Sequence, residues 1–206
     1  MKLKLLCSVG AVLCAAVLLP SDSRPHLTGL MPDALSSCPQ LAVGDIVLRQ
    51  GMGADSVVIA QVSGGSYSHV GMVARVEPEV VVIHAATTDL PDPRRHNQVI
   101  ASTLPDFAAK AVRLAVKRYQ LADNERGEIA LYLESMLGEP FVLDGRKGSL
   151  YCSTLVQRAL SPYLPLDGID YNYVEMPVFS GWYLFPEQFM LDRRSRLIFK
   201  TAAQNR

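Results

Sequence analysis

The pattern of apolar and polar positions predicts an alternation of short strands and helices along most of the chain. Apolar, β-branched runs bounded by Gly, Pro and Asp predict strands at 44–49, 68–75, 79–85, 111–118 and 196–200. Apolar residues at helical spacing predict helices at 54–62, 124–137 and about 149–160, with a single helical turn at 186–189. Residues 164–183 are rich in Tyr, Pro and Gly, so we expect them to follow the surface or to line a groove.

The first 41 residues have a different pattern. Lys2 and Lys4 precede an apolar run from Leu5 to Leu19, which is shorter than the roughly 20 residues of a membrane span. We therefore predict an export signal over 1–23, cleaved after Ser23 or kept as a membrane anchor. Residues 24–41 are predicted to be a linker and 42–206 a single domain. The protein is expected outside the cytoplasm, in the periplasm or beyond the cell, and close to a membrane if the anchor is kept.

Composition agrees with one globular domain and excludes some partners. The chain has 206 residues, of which 49% are hydrophobic and 19% charged, and its formal net charge is zero. A neutral chain lacks the basic surface that nucleic-acid binding needs. Of the four cysteines, Cys7 and Cys14 lie in the predicted signal, which leaves Cys38 and Cys152. A disulfide between these two is an open alternative in an exported protein.

Cys152 is the strongest candidate for chemistry. It lies at the predicted start of a helix, and Leu155, Val156 and Ala159 share its inward face. The free N–H groups of a helix N-terminus lower the pKa of a thiol, favour the nucleophilic thiolate and can also receive an oxyanion. The alternative is a buried structural cysteine, because free cysteines are among the most buried residues. A nearby base would decide between the two interpretations.

Two of the four histidines are suitable bases. His26 lies in the linker and His96 in a polar loop predicted to be mobile and solvated, whereas His69 and His84 lie in neighbouring predicted strands. If the turn between these strands holds two or four residues, both side chains project from the same face near one end. We assign His69 as general base and acid and His84 as the group that orients it. The reverse assignment remains open.

Three segments together resemble a known family. They are Gly44-Asp45-Ile46-Val47, then Ser68-His69-Val70-Gly71-Met72-Val73, then Tyr151-Cys152-Ser153-Thr154-Leu155-Val156. They are similar to the signature blocks of the YiiX-like branch of circularly permuted, papain-like NlpC-type cysteine hydrolases, and the resemblance covers about 42–160. It implies an α+β fold in which an antiparallel sheet or partly closed barrel carries the base and a helix N-terminus carries the nucleophile.

The resemblance also implies roles and substrates. Cys152 would be the nucleophile and His69 the base, and His84 stands where this branch often has Glu. The expected substrates are amides, esters or thioesters in cell-wall peptides, including peptidoglycan, or in acyl lipids, and no cofactor is implied. Two alternatives belong to other classes: a zinc site built from His69, His84 and Cys152, and an inert binding module of the same fold. The metal alternative lacks the short-gap ligand pairs usual in such sites.

Overall fold

A computed structural model describes residues 29–87, 97–176 and 180–201. The predicted export signal, the first part of the predicted linker and the loop that carries His96 lie outside the described residues, so these interpretations stay predictions. Among the described residues, no helix combines the length and the hydrophobicity needed to cross a bilayer.

Six of the eight strands form one antiparallel sheet in the order β4-β3-β2-β1-β5-β8. Strands β6 and β7 form a separate two-stranded hairpin. The bounds are β1 Ile46–Gly51, β2 His69–Arg75, β3 Val81–Ala86, β4 Gln98–Thr103, β5 Ala111–Arg118, β6 Asn172–Val174, β7 Gly181–Tyr183 and β8 Arg196–Lys200.

Helices cover both faces of the sheet. Their bounds are α1 Ala54–Val62, α2 Leu104–Ala109, α3 Asp123–Ser135, α4 Cys152–Leu160 and α5 Pro186–Leu191, with a 3-10 turn at Pro32–Leu35. Alternate strand residues point to opposite faces, so the sheet separates two cores. One core packs against α3, α4 and α5, and the other packs against α2 and the 3-10 turn. The architecture is the predicted α+β fold with an antiparallel sheet packed on helices.

Most of the predicted elements are present. The structure differs from the prediction where the alternation or helical spacing of apolar residues in the sequence is weak. Strand β4 is an edge strand with partly exposed Gln98, Ser102 and Thr103, so its sequence lacks a clear alternation. Helix α2 has only six residues and begins through a side-chain cap, in which Thr103 accepts the N–H of Asp106. The β6–β7 hairpin lies inside the stretch that we expected to follow the surface without regular structure. It is docked by a backbone hydrogen bond of 2.7 Å from Trp182 to Gly145.

An ion pair fixes the start of β1. The fully buried Asp45 accepts two hydrogen bonds of 2.6 Å from Arg118 and one of 2.8 Å from the backbone N–H of Ala42. Gly44 precedes it with a φ of +85°, a conformation that glycine adopts without strain. The Gly44-Asp45 segment therefore joins the first strand to the end of β5, and its role is structural.

The two cysteines outside the predicted signal are free thiols. Cys38 packs at the edge of the core on the α2 side, whereas Cys152 belongs to the core on the α4 side. The disulfide alternative is therefore wrong in this structure, and the sulfur of Cys152 is available. In the same part of the chain Leu30 and Leu41 are buried, so residues 29–41 are packed onto the domain that follows them.

Candidate active site

The start of α4 is held in place by its own side chains and by the β6–β7 segment. Thr154 Oγ1 accepts the backbone N–H of Tyr151 at 2.8 Å and donates to the carbonyl of Ser149 at 2.7 Å. The hydroxyl of Tyr151 accepts the N–H of Leu184 at 2.7 Å. These bonds lock the turn before the helix, so Cys152 stands as its first residue, as the sequence predicts.

The sulfur of Cys152 contacts the first residues of β2. The backbone amides of Val70 and Ser153 lower the pKa of its thiol, and the Ser153 hydroxyl lies 3.8 Å away. Strand β2 pairs with β3 only from Met72 onward, so the amide of Val70 lies beyond the paired part of these strands. The sulfur therefore meets the sheet where two strands separate, next to His69 in the chain.

The thiol is more strongly buried than the sequence indicated. Cys152 is 9% exposed, and burial is the main cause of a pKa raised above the usual value of a thiol. Hydrogen bonds from Ser153 and Val70 and the charge of Arg49 act in the opposite direction but do not outweigh burial. The expectation of a thiolate favoured by the helix N-terminus is therefore wrong for the resting protein, because desolvation of the charged form dominates.

The two strand histidines form a hydrogen-bonded pair. His69 Nε2 lies 2.9 Å from His84 Nδ1, and His84 Nε2 lies 3.0 Å from the hydroxyl of Ser102 on β4. Val73 pairs with Val82, so odd positions of β2 face even positions of β3, as predicted. Gly71 makes room for the pair, since a Cβ there would lie 3.0 Å from the Cβ of His84. The predicted face and proximity of the two imidazoles are therefore confirmed by the coordinates.

The imidazoles and the sulfur lie on opposite faces of the sheet. The rings of His69 and His84 pack against Phe107 of α2, with centroids 5.7 Å and 5.0 Å from it, whereas Cys152 packs with α4. No direct hydrogen bond joins the sulfur to either ring among the described side chains. The Val70 amide, one residue after His69, is the group of β2 that lowers the pKa of the Cys152 thiol. Catalytic hydrogen bonds are often long before substrate binds.

Arg49 is a charged member of the site that the sequence did not indicate. It is 6% exposed, pairs with His69 across β1 and β2, and lies 4.4 Å from the centre of the Phe107 ring. It also donates a 3.1 Å hydrogen bond to the Phe107 carbonyl. Its charge lowers the pKa of both His69 and Cys152. The guanidinium therefore lies near both reacting groups and opposes protonation of the base.

His69 is held neutral in this setting. Burial is the largest cause of a pKa well below its usual value of 6.5, and the charges of Arg49, His84 and Lys110 act in the same direction. A neutral imidazole can accept a proton, so His69 is available as a base in the resting protein.

The lowered pKa of His69 predicts a loss of stability in acid. Below about pH 6.5 His69 is protonated in the unfolded chain but stays neutral in the folded chain. The free energy of unfolding therefore falls by up to about 1.4 kcal/mol for each pH unit of acidification. Urea unfolding at several pH values between neutrality and about pH 5 measures this slope. His69→Gln removes the group, so its slope should be smaller than that of the wild type, and equal slopes would contradict the assignment.

Ser102, Arg49 and Phe107 are the site residues that sequence reasoning missed. Each lies on a segment with an ordinary core or edge pattern, and none belongs to a motif. Ser102 reaches His84 because β4 pairs with β3, with His84 opposite Ile100. Only a signal for that strand pairing could have indicated it.

The donors of the site do not match a metal centre. Among residues 29–87, 97–176 and 180–201, no three His, Cys, Asp or Glu side chains are close enough together to hold an ion. His69 and His84 use facing ring nitrogens to bind each other, and the second nitrogen of His84 contacts Ser102. A tetrahedral zinc site needs converging nitrogen and sulfur donors, which this arrangement does not offer.

Comparisons with known proteins agree with the fold. No curated protein sequence matches the chain. A crystal structure described as that of the metalloprotein yiiX from Escherichia coli O157:H7 is similar in fold, with a TM-score of 0.65 and 16% identity over 79% of this chain and 98% of that one. Residues 40–184 match the family model Peptidase_C92, described as the permuted papain-like amidase enzyme, YaeF/YiiX, C92 family. The chain therefore belongs to the YaeF/YiiX family of permuted papain-like amidases.

Proposed function

We propose that the protein is a cysteine amidase in which Cys152 attacks the acyl carbon, His69 moves the proton and His84 orients His69. The observation that carries this proposal is the packing of α4, which begins at Cys152, against β2 and β3, the strands that hold His69 and His84. Membership of an amidase family supports the reaction class. The substrate is proposed to be an amide, ester or thioester of a cell-wall peptide or an acyl lipid.

The hydrogen bonds that link His69, His84 and Ser102 are consistent with one arrangement of the ring protons. If His69 donates from Nε2 to His84 Nδ1, then Nδ1 of His69 carries no proton and can serve as the base. His84 then carries its proton on Nε2 and donates to Ser102 Oγ. The Ser102 hydroxyl can accept this bond, and we propose that Ser102 acts as a positioning residue for His84. The reverse order would place a proton on His69 Nδ1 and leave no basic nitrogen, so we assign His69 as base and His84 as orienter.

The reaction then follows acyl-transfer chemistry in two halves. The thiol proton passes to His69 as the sulfur bonds to the acyl carbon, and the carbonyl oxygen gains negative charge. Free N–H groups at the start of α4 are suited to receive that charge. His69 returns the proton to the leaving nitrogen as the carbon–nitrogen bond breaks. Water, deprotonated by His69, next cleaves the thioester and restores the thiol.

The raised pKa of Cys152 suits a base that acts only during attack. A thiol that is neutral at rest is protected from adventitious oxidation, because thiolate character governs that reactivity. The lowered pKa of His69 and the raised pKa of Cys152 both oppose transfer of the proton at rest, so we propose that the transfer accompanies bond formation between the sulfur and the acyl carbon. Arg49 supports this cycle, since its charge stabilises the thiolate that forms transiently.

Two other functions are less well supported. The fold neighbour is described as a metalloprotein, but in the part of this chain that the structure describes no three His, Cys, Asp or Glu side chains are close enough together to hold an ion. We derive no step through a metal. An inert binding module would keep the fold without the chemistry, yet all three positions hold side chains competent for it. We also propose export by the N-terminal segment, supported by its charge and apolar pattern, which would give the enzyme access to cell-wall and membrane substrates.

A covalent adduct is the direct test of the nucleophile. We expect the purified protein, incubated with a panel of cell-wall peptide fragments, acyl amides and acyl thioesters, to gain one acyl mass on the peptide that contains Cys152. The matched controls are Cys38→Ala, which should still form the adduct, and Cys152→Ala, which should not. An adduct on Cys38 alone would overturn the assignment. Failure with every activated acyl donor, in protein shown to be folded, would favour the inert module.

A further inference from the structure

A cavity of about 480 Å³ lies at the far end of the sheet from the histidine pair. Arg118 marks its position, since it binds Asp45 just before β1, whereas Arg49 beside His69 lies near the other end of that strand. We name it the arginine cavity after the four guanidinium groups among its lining residues, which are Arg118, Tyr119, Gln120, Leu121, Ala122, Arg126, Arg194 and Arg196. It shares no residue with the candidate active site.

Two of these arginines are neutralised by carboxylates. Arg118 binds Asp45 through two nitrogen atoms, at 2.6 Å each. Arg194 binds Asp192, with its Nε 2.9 Å from Oδ1. Asp192 also accepts a 2.5 Å hydrogen bond from the Tyr119 hydroxyl, so its position is fixed from two sides. These two pairs build the wall of the cavity without adding net charge.

The other two arginines leave net positive charge. Arg126 donates to the backbone carbonyls of Val43 and Tyr119, which are neutral acceptors. Arg196 lies on β8 opposite Arg118 and is exposed, and among the described residues no hydrogen bond or ion pair is recorded for it. Arg126, held by these two carbonyls, and the exposed Arg196 therefore face one cavity with about two uncompensated charges, which an anionic ligand would neutralise.

Nearby acidic groups do not cancel this charge, since none among the described residues lines the cavity. Asp167 raises the pKa of Arg194, but that arginine is already paired with Asp192. Asp123 and Glu125 belong to the first turn of α3 but are not among the lining residues. Glu125 is already bound, since its carboxylate accepts the N–H of Ala122 at 2.7 Å. Because α3 begins directly after Ala122, the positive end of its dipole also points toward the rim of the cavity.

We propose that the arginine cavity binds a doubly charged phosphate-class anion, as a free phosphate or diphosphate or as the headgroup of a phospholipid. Guanidinium groups match the oxygens of phosphate in pairs and remain charged at every physiological pH. Arg126 supplies the ordered contact, and Arg196 closes over the ligand from solvent. The ligand is independent of the reaction at Cys152, so the cavity is a second binding site.

Titration of the full-length protein with inorganic pyrophosphate at constant ionic strength tests the proposal. We expect saturable binding that Arg196→Gln weakens by about tenfold, the loss of one charge-assisted contact. Arg193→Gln is the matched control. Arg193 lies three positions before Arg196, is exposed and does not line the cavity, so the variant removes the same charge from outside the site. It should change affinity by less than about twofold. Cys152→Ala should bind like the wild type.

A second arm identifies the source of the phosphate. Co-sedimentation with phosphatidylcholine vesicles that contain phosphatidic acid, and with phosphatidylcholine alone, separates a lipid headgroup from a soluble anion. If the protein sediments with the phosphatidic acid vesicles and Arg196→Gln abolishes this binding, the ligand is a lipid headgroup. If the protein binds pyrophosphate but does not sediment with the vesicles, the ligand is a soluble phosphate. The proposal is overturned by equal losses in Arg196→Gln and Arg193→Gln, by tighter binding of citrate than of pyrophosphate, or by no binding in either arm. Circular dichroism of both variants establishes that they are folded.

Discussion

Replacement of Cys152 by Ala should lower turnover of an acyl amide by about 10⁴-fold or more, because it removes the only atom that can form the thioester. The fold should remain, since alanine fits the first position of α4 and the helix start is fixed by Thr154 and Tyr151. Steady-state release of amine from the amide measures the loss. Thermal unfolding should confirm an intact protein.

The variants at the histidines give the graded control for this result. His69→Ala should cost about 10²- to 10⁴-fold, the usual contribution of a general base. His84→Ala should cost less, since it removes only the group that orients His69 through a 2.9 Å hydrogen bond. Cys38→Ala should retain full activity, because Cys38 lies in the core on the other side of the sheet. Full activity in Cys152→Ala, or a larger loss in His84→Ala than in His69→Ala, would contradict the proposed roles.

Replacement of Asp45 by Ala should lower the free energy of unfolding by about 3 kcal/mol, the lower end of the cost of breaking a buried ion pair. Asp45 is fully buried, and its loss leaves the Arg118 guanidinium and the Ala42 N–H without their acceptor. The Arg118 side chain is 26% exposed, so water can reach part of its charge and limit the penalty. Urea unfolding of the wild type and the variant gives the difference.

A double-mutant cycle separates the contribution of the Asp45–Arg118 ion pair to stability from the other effects of each substitution. Asp45→Ala/Arg118→Ala should recover part of the loss, because no charge is then stranded near β1. Asp170→Ala, at an exposed position, should change stability by less than about 0.5 kcal/mol. A cost below about 1 kcal/mol for Asp45→Ala would mean that the pair behaves like one on the surface.

Local pattern was sufficient for much of the fold. The β-branched runs identified strands β1, β2, β3, β5 and β8, and helical spacing identified α1, α3 and α4. Period-two alternation also predicted His69 and His84 on one face. The turn between β2 and β3 holds five residues and not the two or four assumed, but the register shift between Val73 and Arg75 gives the same pairing of odd with even positions. The nucleophile was found in the same way, since an apolar helical face begins at Cys152. These features depend on neighbours within a few residues.

The features that only tertiary structure decided depend on residues far apart in the chain. Ser102 joins the histidines through the pairing of β3 with β4, and Arg49 does so through the pairing of β1 with β2. The thiol pKa was predicted in the wrong direction because helix position is a local property, whereas desolvation depends on everything packed around the sulfur. The sequence by itself determined the order of most elements and indicated the candidate reacting groups. Burial, partner strands and the charges around the site were decided by packing, which no local pattern encodes.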